Sequence, residues 1–240
     1  YVAGSVAKLG QLLEARGDHQ GAEELLREAL NLDRAAFGDQ HPYVAGDINN
    51  LAHVLHLQGD YARAEPLYRE ALEMTSALQG EDHPAVAVGL NNLSGVLESQ
   101  GRLEEAEELQ REALALWRGV LGDQHPNVAT GLSNLAAVLE GAGKYAEAES
   151  MHREAVDLRR RLLGDAHPRT ASSLAELAAV RRALGDDQEA EALLSEAADV
   201  HEAARLRVGS GIERATFQSS PYPALAEVRL AVGQSDDAWS

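Results

Sequence analysis

Apolar residues recur along this chain with the period of a helix. Ile48, Leu51, Ala52 and Leu55 fall at i, i+3, i+4 and i+7, one stripe on one face. Gly59 follows, suited to the left-handed residue that closes a helix. Asp60 can then cap the next helix through its side chain. Tyr61, Ala64, Tyr68, Ala71 and Leu72 make a second stripe. The pattern predicts two antiparallel helices, A and B, joined by a tight turn.

The same pattern returns at a fixed interval. Gly17, Gly59, Gly101, Gly143 and Gly185 are 42 residues apart, and Leu9, Leu51, Leu93, Leu135 and Leu177 keep the same interval. So do Ala22, Ala64, Ala106, Ala148 and Ala190, and Ala29, Ala71, Ala113, Ala155 and Ala197. Self-similarity at this period is the mark of a solenoid, and the expected fold class is all-α, a stack of antiparallel helix pairs. The units run 1–36 (short at its start), 37–78, 79–120, 121–162 and 163–208, the last with an extended second helix. Residues 209–221 read as an irregular insertion and 222–240 as a degenerate, truncated sixth unit. "YVAG" at 1–4 recurs at 43–46, directly after a His-Pro pair, so the chain reads as a piece cut from something longer. Small residues at the alanine positions let helices approach closely. Glu23–Arg27, Glu65–Arg69, Glu107–Arg111 and Glu149–Arg153 are i, i+4 pairs that lend helix support and solubility.

Between units stand "GDQHP", "GEDHP", "GDQHP" and "GDAHP", placing His41, His83, His125 and His167 at the common interval. The glycine can end helix B. The proline suits the first turn of the next helix, where its missing N–H is not needed. The residue before a proline is biased toward extended angles, as a cap must be. One histidine per unit, stacked at about 10 Å, cannot share a metal, so these residues read as structural punctuation.

Composition narrows the function. Aromatic residues are 4% of the chain, so the core rests on Leu, Val and Ala, which suits packed helices. A net charge of −18 makes nucleic acid and anionic membranes poor partners. With no cysteine, thiolate metal sites, disulfides and a cysteine nucleophile are excluded within these residues. No apolar run reaches a membrane span and no signal peptide is visible, so a cytoplasmic setting is the expectation. The alanine-rich composition points to a GC-rich bacterial source. His53 and His56, three apart on helix A, could place two metal ligands on one face, but the register supplies no third, and a groove-lining pair is the favoured reading. Glu104, Glu105, Glu107 and Glu108 read as a solvated face. No phosphate loop, nucleophile elbow or zinc-protease motif is present. No cofactor and no enzyme activity are expected of these residues.

The order Leu51, Ala52, Leu55, Gly59-x-Tyr61, Ala64, Tyr68, Ala71 resembles tetratricopeptide repeats. The longer period, the "NNLA" of helix A, "A-E-x-x-x-R-E-A" of helix B and "G-x-x-H-P" between units are similar to the kinesin-light-chain subtype. The resemblance implies a right-handed superhelix whose A helices line a concave groove for an extended peptide or partner segment. The implied groove residues are Asn49, Asn50, His53 and His56 in the second unit and Asn91, Asn92 and Glu98 in the third. Ser133, Asn134 and Glu140 follow in the fourth, with Lys8, Glu176 and Arg182 in the first and fifth. An asparagine amide both donates and accepts, so Asn50, Asn92 and Asn134 could grip a peptide backbone at every third residue; alternatively they bond neighbouring helices or water. The groove holds few cations, which argues against a taste for acidic cargo. Two functional readings stand: a scaffold that binds protein or peptide, or the sensor arm of a larger protein. For the second, "SSPYPALAEVRLAVGQSDDAW" looks similar to the segment that leads into bacterial caspase-like CHAT domains. End-to-end self-association through open terminal repeats is a third expectation.

Overall fold

A computed structural model describes residues 2–207, 221 and 223–228. Ten long helices carry most of them: α1 (Val2–Ala15), α2 (His19–Phe37), α3 (Pro42–Leu57), α4 (Tyr61–Gln79), α5 (Pro84–Ser99), α6 (Leu103–Leu121), α7 (Pro126–Gly141), α8 (Tyr145–Leu163), α9 (Pro168–Ala183) and α10 (Asp187–Arg207). Residues 223–228 form a short further helix, and the described residues contain no strand. The insertion expected at 209–221 and most of the expected sixth unit lie outside the described residues.

The chain falls into two compact units, residues 1–122 and 123–240. In the first, α1 pairs with α2, α3 with α4 and α5 with α6, while α2 also packs on α3 and α4 on α5. In the second, α7 pairs with α8 and α9 with α10, and α8 packs on α9. Every odd-numbered helix is an A helix and every even-numbered one a B helix.

The punctuation works as local chemistry demands. Gly59 sits at φ 79° between α3 and α4, a value a side chain rarely tolerates. The His-Pro pairs start α3, α5, α7 and α9, with proline in the first turn. Each histidine is itself the cap. Nδ1 of His41, His83, His125 and His167 accepts the backbone N–H two residues on, at 3.2, 3.2, 3.1 and 3.1 Å. An imidazole thus does what Ser or Asp usually does, and only its neutral form has the lone pair for it.

Core packing follows the register. Ala22, Ala64, Ala106, Ala148 and Ala190 are wholly buried, as are Ile48 and Ala52 of the first stripe described above. No helix among the described residues is long and apolar enough to cross a membrane.

The i, i+4 pairs turn out to do more than support single helices. Glu65 of α4 receives Arg69 at 2.8 Å from its own helix, and also Gln100 at 3.0 Å and Arg102 at 2.9 Å from the end of α5 and the turn after it. Burial pushes its carboxyl up, but these hydrogen bonds outweigh that and hold it at about 2. Glu23 is gripped likewise by Arg27, Gln58 and Arg63. In the second unit Arg181 of α9 reaches Glu149 of α8 at 2.9 Å. The glutamates are clasps between one helix pair and the next.

Candidate functional site

The candidate site is the face of the A helices around Asn49 and Asn50. In the first unit, α3, α4 and α5 form the walls of an open cavity of about 260 Å³ lined by Ala45, Gly46, Asn49, Asn50, Thr75 and Gly89, among others. Pro42, Ala71, Gln79, Ala85 and Val88 complete the wall, so every lining residue is uncharged. A quarter of the chain is charged, so an uncharged lining sets this cavity apart from the rest of the surface. Of the two glycines in its wall, Gly46 leaves space that a side chain would take, while Gly89 lets Leu72 pack close to α5. A Cβ on Gly46 would meet nothing within 4 Å, whereas one on Gly89 would come within 2.9 Å of Leu72.

The amides nearby divide into two sets. Asn92 donates to Asn49 at 2.9 Å, linking α5 to α3. Asn91 accepts from Gln110 of α6 at 3.0 Å and donates to Asn92 at 3.4 Å. These three therefore link neighbouring helices, and of Asn50, Asn92 and Asn134, for which the sequence left that alternative open, Asn92 takes it. Asn50 is different: it is half-buried, lines the cavity, and has no side-chain hydrogen bond among the described residues. Its amide keeps donors and an acceptor for a ligand.

The two histidines of α3 do not act as a pair. His53 lies 3.4 Å from Glu14 of α1 and its Nδ1 lies 3.4 Å from the Tyr68 hydroxyl. His56 instead meets the Ser99 hydroxyl at 2.8 Å and the edge of the Tyr61 ring. Burial, then the neighbouring His53, pushes the His56 imidazole below its usual range. Among the described residues no three His, Asp or Glu side chains are grouped to hold a metal ion. Glu98 is half-buried, and burial pushes its carboxyl up. Lys8 is exposed on α1.

In the second unit the same face is occupied by a polar cluster. Ser133 donates to Glu176 at 3.0 Å. His152 of α8 is buried, with Nε2 2.7 Å from Glu140 and Nδ1 3.7 Å from Glu176. Glu176 also lies 3.7 Å from Arg159. Asn134 is half-buried. Arg182 is taken up by Glu227 of the short helix, at 2.9 Å. That pairing leaves this end of the A-helix face with less free positive charge than the sequence suggested.

Gln110 and His152 were absent from the expected site, although one register joins them to Tyr68. From the B helices they reach through to Asn91 and Glu140. The signal was legible: a glutamine and a histidine stand in a stripe that is otherwise apolar or aromatic.

The tetratricopeptide repeat profile matches residues 45–118, 86–161 and 127–203, and a second profile of the same description matches residues 2–43. The chain belongs to the tetratricopeptide-repeat family. No curated protein matches it. Among solved structures, BtubC (BKLC) from P. vanneervenii is similar at 29% identity and TM-score 0.73, over 87% of this chain and 82% of that one. The kinesin light chain with nearly identical TPR-like repeats from Podosopora anserina is similar at 24% identity and TM-score 0.71, over 83% of this chain and 95% of that one. A variant form of the latter gives 23% identity and TM-score 0.73, over 84% of this chain and 95% of that one. The fold is thus a tetratricopeptide solenoid of the kinesin-light-chain-like kind. Tetratricopeptide repeats in general mediate protein–protein interaction and are not catalytic. The family match ends at residue 203, before the segment likened to the region that precedes CHAT domains, of which only residues 221 and 223–228 are described.

Proposed function

We propose that this tetratricopeptide array is a non-catalytic, cytoplasmic interaction module that takes an extended peptide along its A helices. The observation that carries the reading is the uncharged cavity beside Asn50, whose amide has no partner among the described residues. An uncharged side chain of the ligand enters the cavity, and Asn50 holds the adjacent main chain. Asn49, Asn91 and Asn92 fix the spacing of the helices that frame it. The grip is therefore concentrated at one asparagine rather than spread over a ladder of three. His53, His56 and Glu98 border the same face in the first unit, and Ser133, Asn134, Glu140 and Glu176 present its counterpart in the second. A role as the sensor arm of a CHAT-type protease rests only on the likeness of residues 219–239 and gains no support from the site.

The test begins with a displayed peptide library selected on the intact chain, followed by calorimetric titration of the best peptide. Gly46→Leu fills the cavity, and removing a helical glycine should hold or raise stability by about 0.5–1 kcal/mol. Loss of binding in Gly46→Leu and in Asn50→Ala, with Asn92→Ala less affected per folded molecule, supports the site. Undiminished binding in both would move the ligand elsewhere.

A further inference from the structure

A pocket of different character opens between the B helices of the first unit. α2 and α4 both pack on α3, and between them lies an open space of about 520 Å³. Leu30 and Leu67 stand in its walls, and Leu51 and Leu55 of α3 in its floor. Its charged lining is Arg27, Arg34, Arg63 and Glu70, three cations against one anion in a chain of net charge −18. It shares no lining residue with the cavity beside Asn50.

The repeat itself shows what has changed here. Ala62, Arg63 and Pro66 of this lining stand at the register of Glu104, Glu105 and Glu108 in α6. Glu147 and Glu189 hold the place of Arg63 in α8 and α10. Arg153 of α8, the counterpart of Arg27, crosses to Glu189 of α10 at 2.7 Å. Arg27 meets a cation at that register instead. Its guanidinium and that of Arg63 end on one oxygen, Oε1 of the largely buried Glu23, at 2.8 and 2.5 Å.

The grip on Glu23 does not require a cation in the pocket wall. Arg102 makes the equivalent grip on Glu65 from the turn before α6, at the register of Asp60, and pairs there with Glu105. In α4 the two charges are exchanged: Asp60 is in the turn, and Arg63 is carried one turn into the helix. Glu70 and Asp39 take up Arg34, at 3.1 and 3.5 Å. Arg27 spends one terminal nitrogen on Glu23 and keeps its other N–H groups for a ligand. A guanidinium fork matches the two oxygens of a carboxylate, and an apolar floor matches a hydrocarbon body.

We infer that this pocket is a second ligand site, separate from the peptide site, for a small organic acid. The carboxylate is held between Arg27 and Arg63, and the aliphatic or aromatic body lies against Leu30 and Leu67 over the α3 floor.

The probe is phenylacetate, titrated into the isotopically labelled whole chain at neutral pH and low salt. Saturable amide and methyl shifts are expected at Arg27, Leu30, Arg63 and Leu67, with Gly46 and Asn50 unmoved. Phenylacetamide has the same body without the charge, and inorganic phosphate has charge without the body; each should bind at least about tenfold more weakly. The double variant Asp60→Arg, Arg63→Glu copies Arg102 and Glu105. It keeps the net charge, should keep the grip on Glu23, and takes one guanidinium from the pocket. Binding should weaken about tenfold with an unchanged circular dichroism spectrum. Arg27→Gln, which leaves Glu23 to Arg63 and Gln58, should give a similar loss. Absence of saturable shifts at millimolar phenylacetate overturns the inference. So does amide or phosphate binding equal to that of the acid, or an affinity that neither variant lowers.

Discussion

Asp47→Asn should make this protein more stable at pH 8 than its parent. Asp47 on α3 faces Asp33 on α2, where the first two helix pairs meet; both are buried, and their carboxyls hydrogen-bond to each other. Asp33 Oδ1 and Asp47 Oδ2 are buried and accept no hydrogen bond from any N–H or hydroxyl donor among the described residues. No described cation enters this junction, in contrast to the same register in the second unit, where Arg159 bonds Ser173. Burial first, then the charge of Asp33 and the bond to it, push the Asp47 carboxyl up from 3.8 to about 7. The folded state thus holds a proton that the unfolded chain releases near pH 4. The stability it contributes is complete below about pH 4 and lost as pH rises through about 7. A gap of about three pH units corresponds to on the order of 4 kcal/mol. For a chain of this size that is roughly 8–16 °C in melting temperature. Asparagine keeps the hydrogen bond to Asp33 and removes the titration. Calorimetry of both proteins at pH 5 and pH 8 measures the effect, and hydrogen exchange in α2 and α3 locates it. General repulsion from the net charge of −18 is nearly common to both proteins, so the difference between them isolates the pair. An equal loss of stability from pH 5 to pH 8 in the two proteins refutes the shared proton.

Three further outcomes follow from the same structure. His83→Ala removes the Nδ1 cap of α5 and should cost about 1 kcal/mol by chemical denaturation, with His83→Asn recovering most of it; no loss in the alanine variant denies the cap its role. Burial and Arg169 push the His167 imidazole below its usual range, so its contribution is present above about pH 6.5 and falls as pH drops through the lowered value, a decline that His167→Asn should flatten in acid melts. Glu65→Gln should cost about 1–2 kcal/mol after allowance for its partial exposure, while the parent loses that contribution as pH falls from about 4.5 toward about 2; a Gln variant as stable as the parent at pH 7 removes the clasp.

Helix count and pairing were legible in the sequence because one mechanism repeats. Leucine and alanine at helical spacing, a glycine at each A–B turn and His-Pro at each B–A turn leave little else for the chain to do. The meaning of the histidine was only half legible. The proline predicts a helix start, but that the imidazole itself accepts the capping N–H depends on its rotamer. Contacts between units were harder to read. Glu65 meets Arg102 across 37 residues, and local spacing shows only its pair with Arg69. Asn49 and Asn92 read as ligand-facing amides because the family places helix-A residues in a groove, yet their spacing also sets them opposite each other on adjacent helices. The cavity beside Gly46 lies where one side chain is missing, and a single absence leaves no periodic signal.

The proposed function has an extended peptide held between α3 and α5. Amide chemical-shift mapping of the chain with the selected peptide tests it most directly. The largest shifts should fall on Gly46, Asn49, Asn50 and Gly89, and Gly46→Leu should abolish them. Shifts confined to other helices, or unchanged in Gly46→Leu, would contradict it.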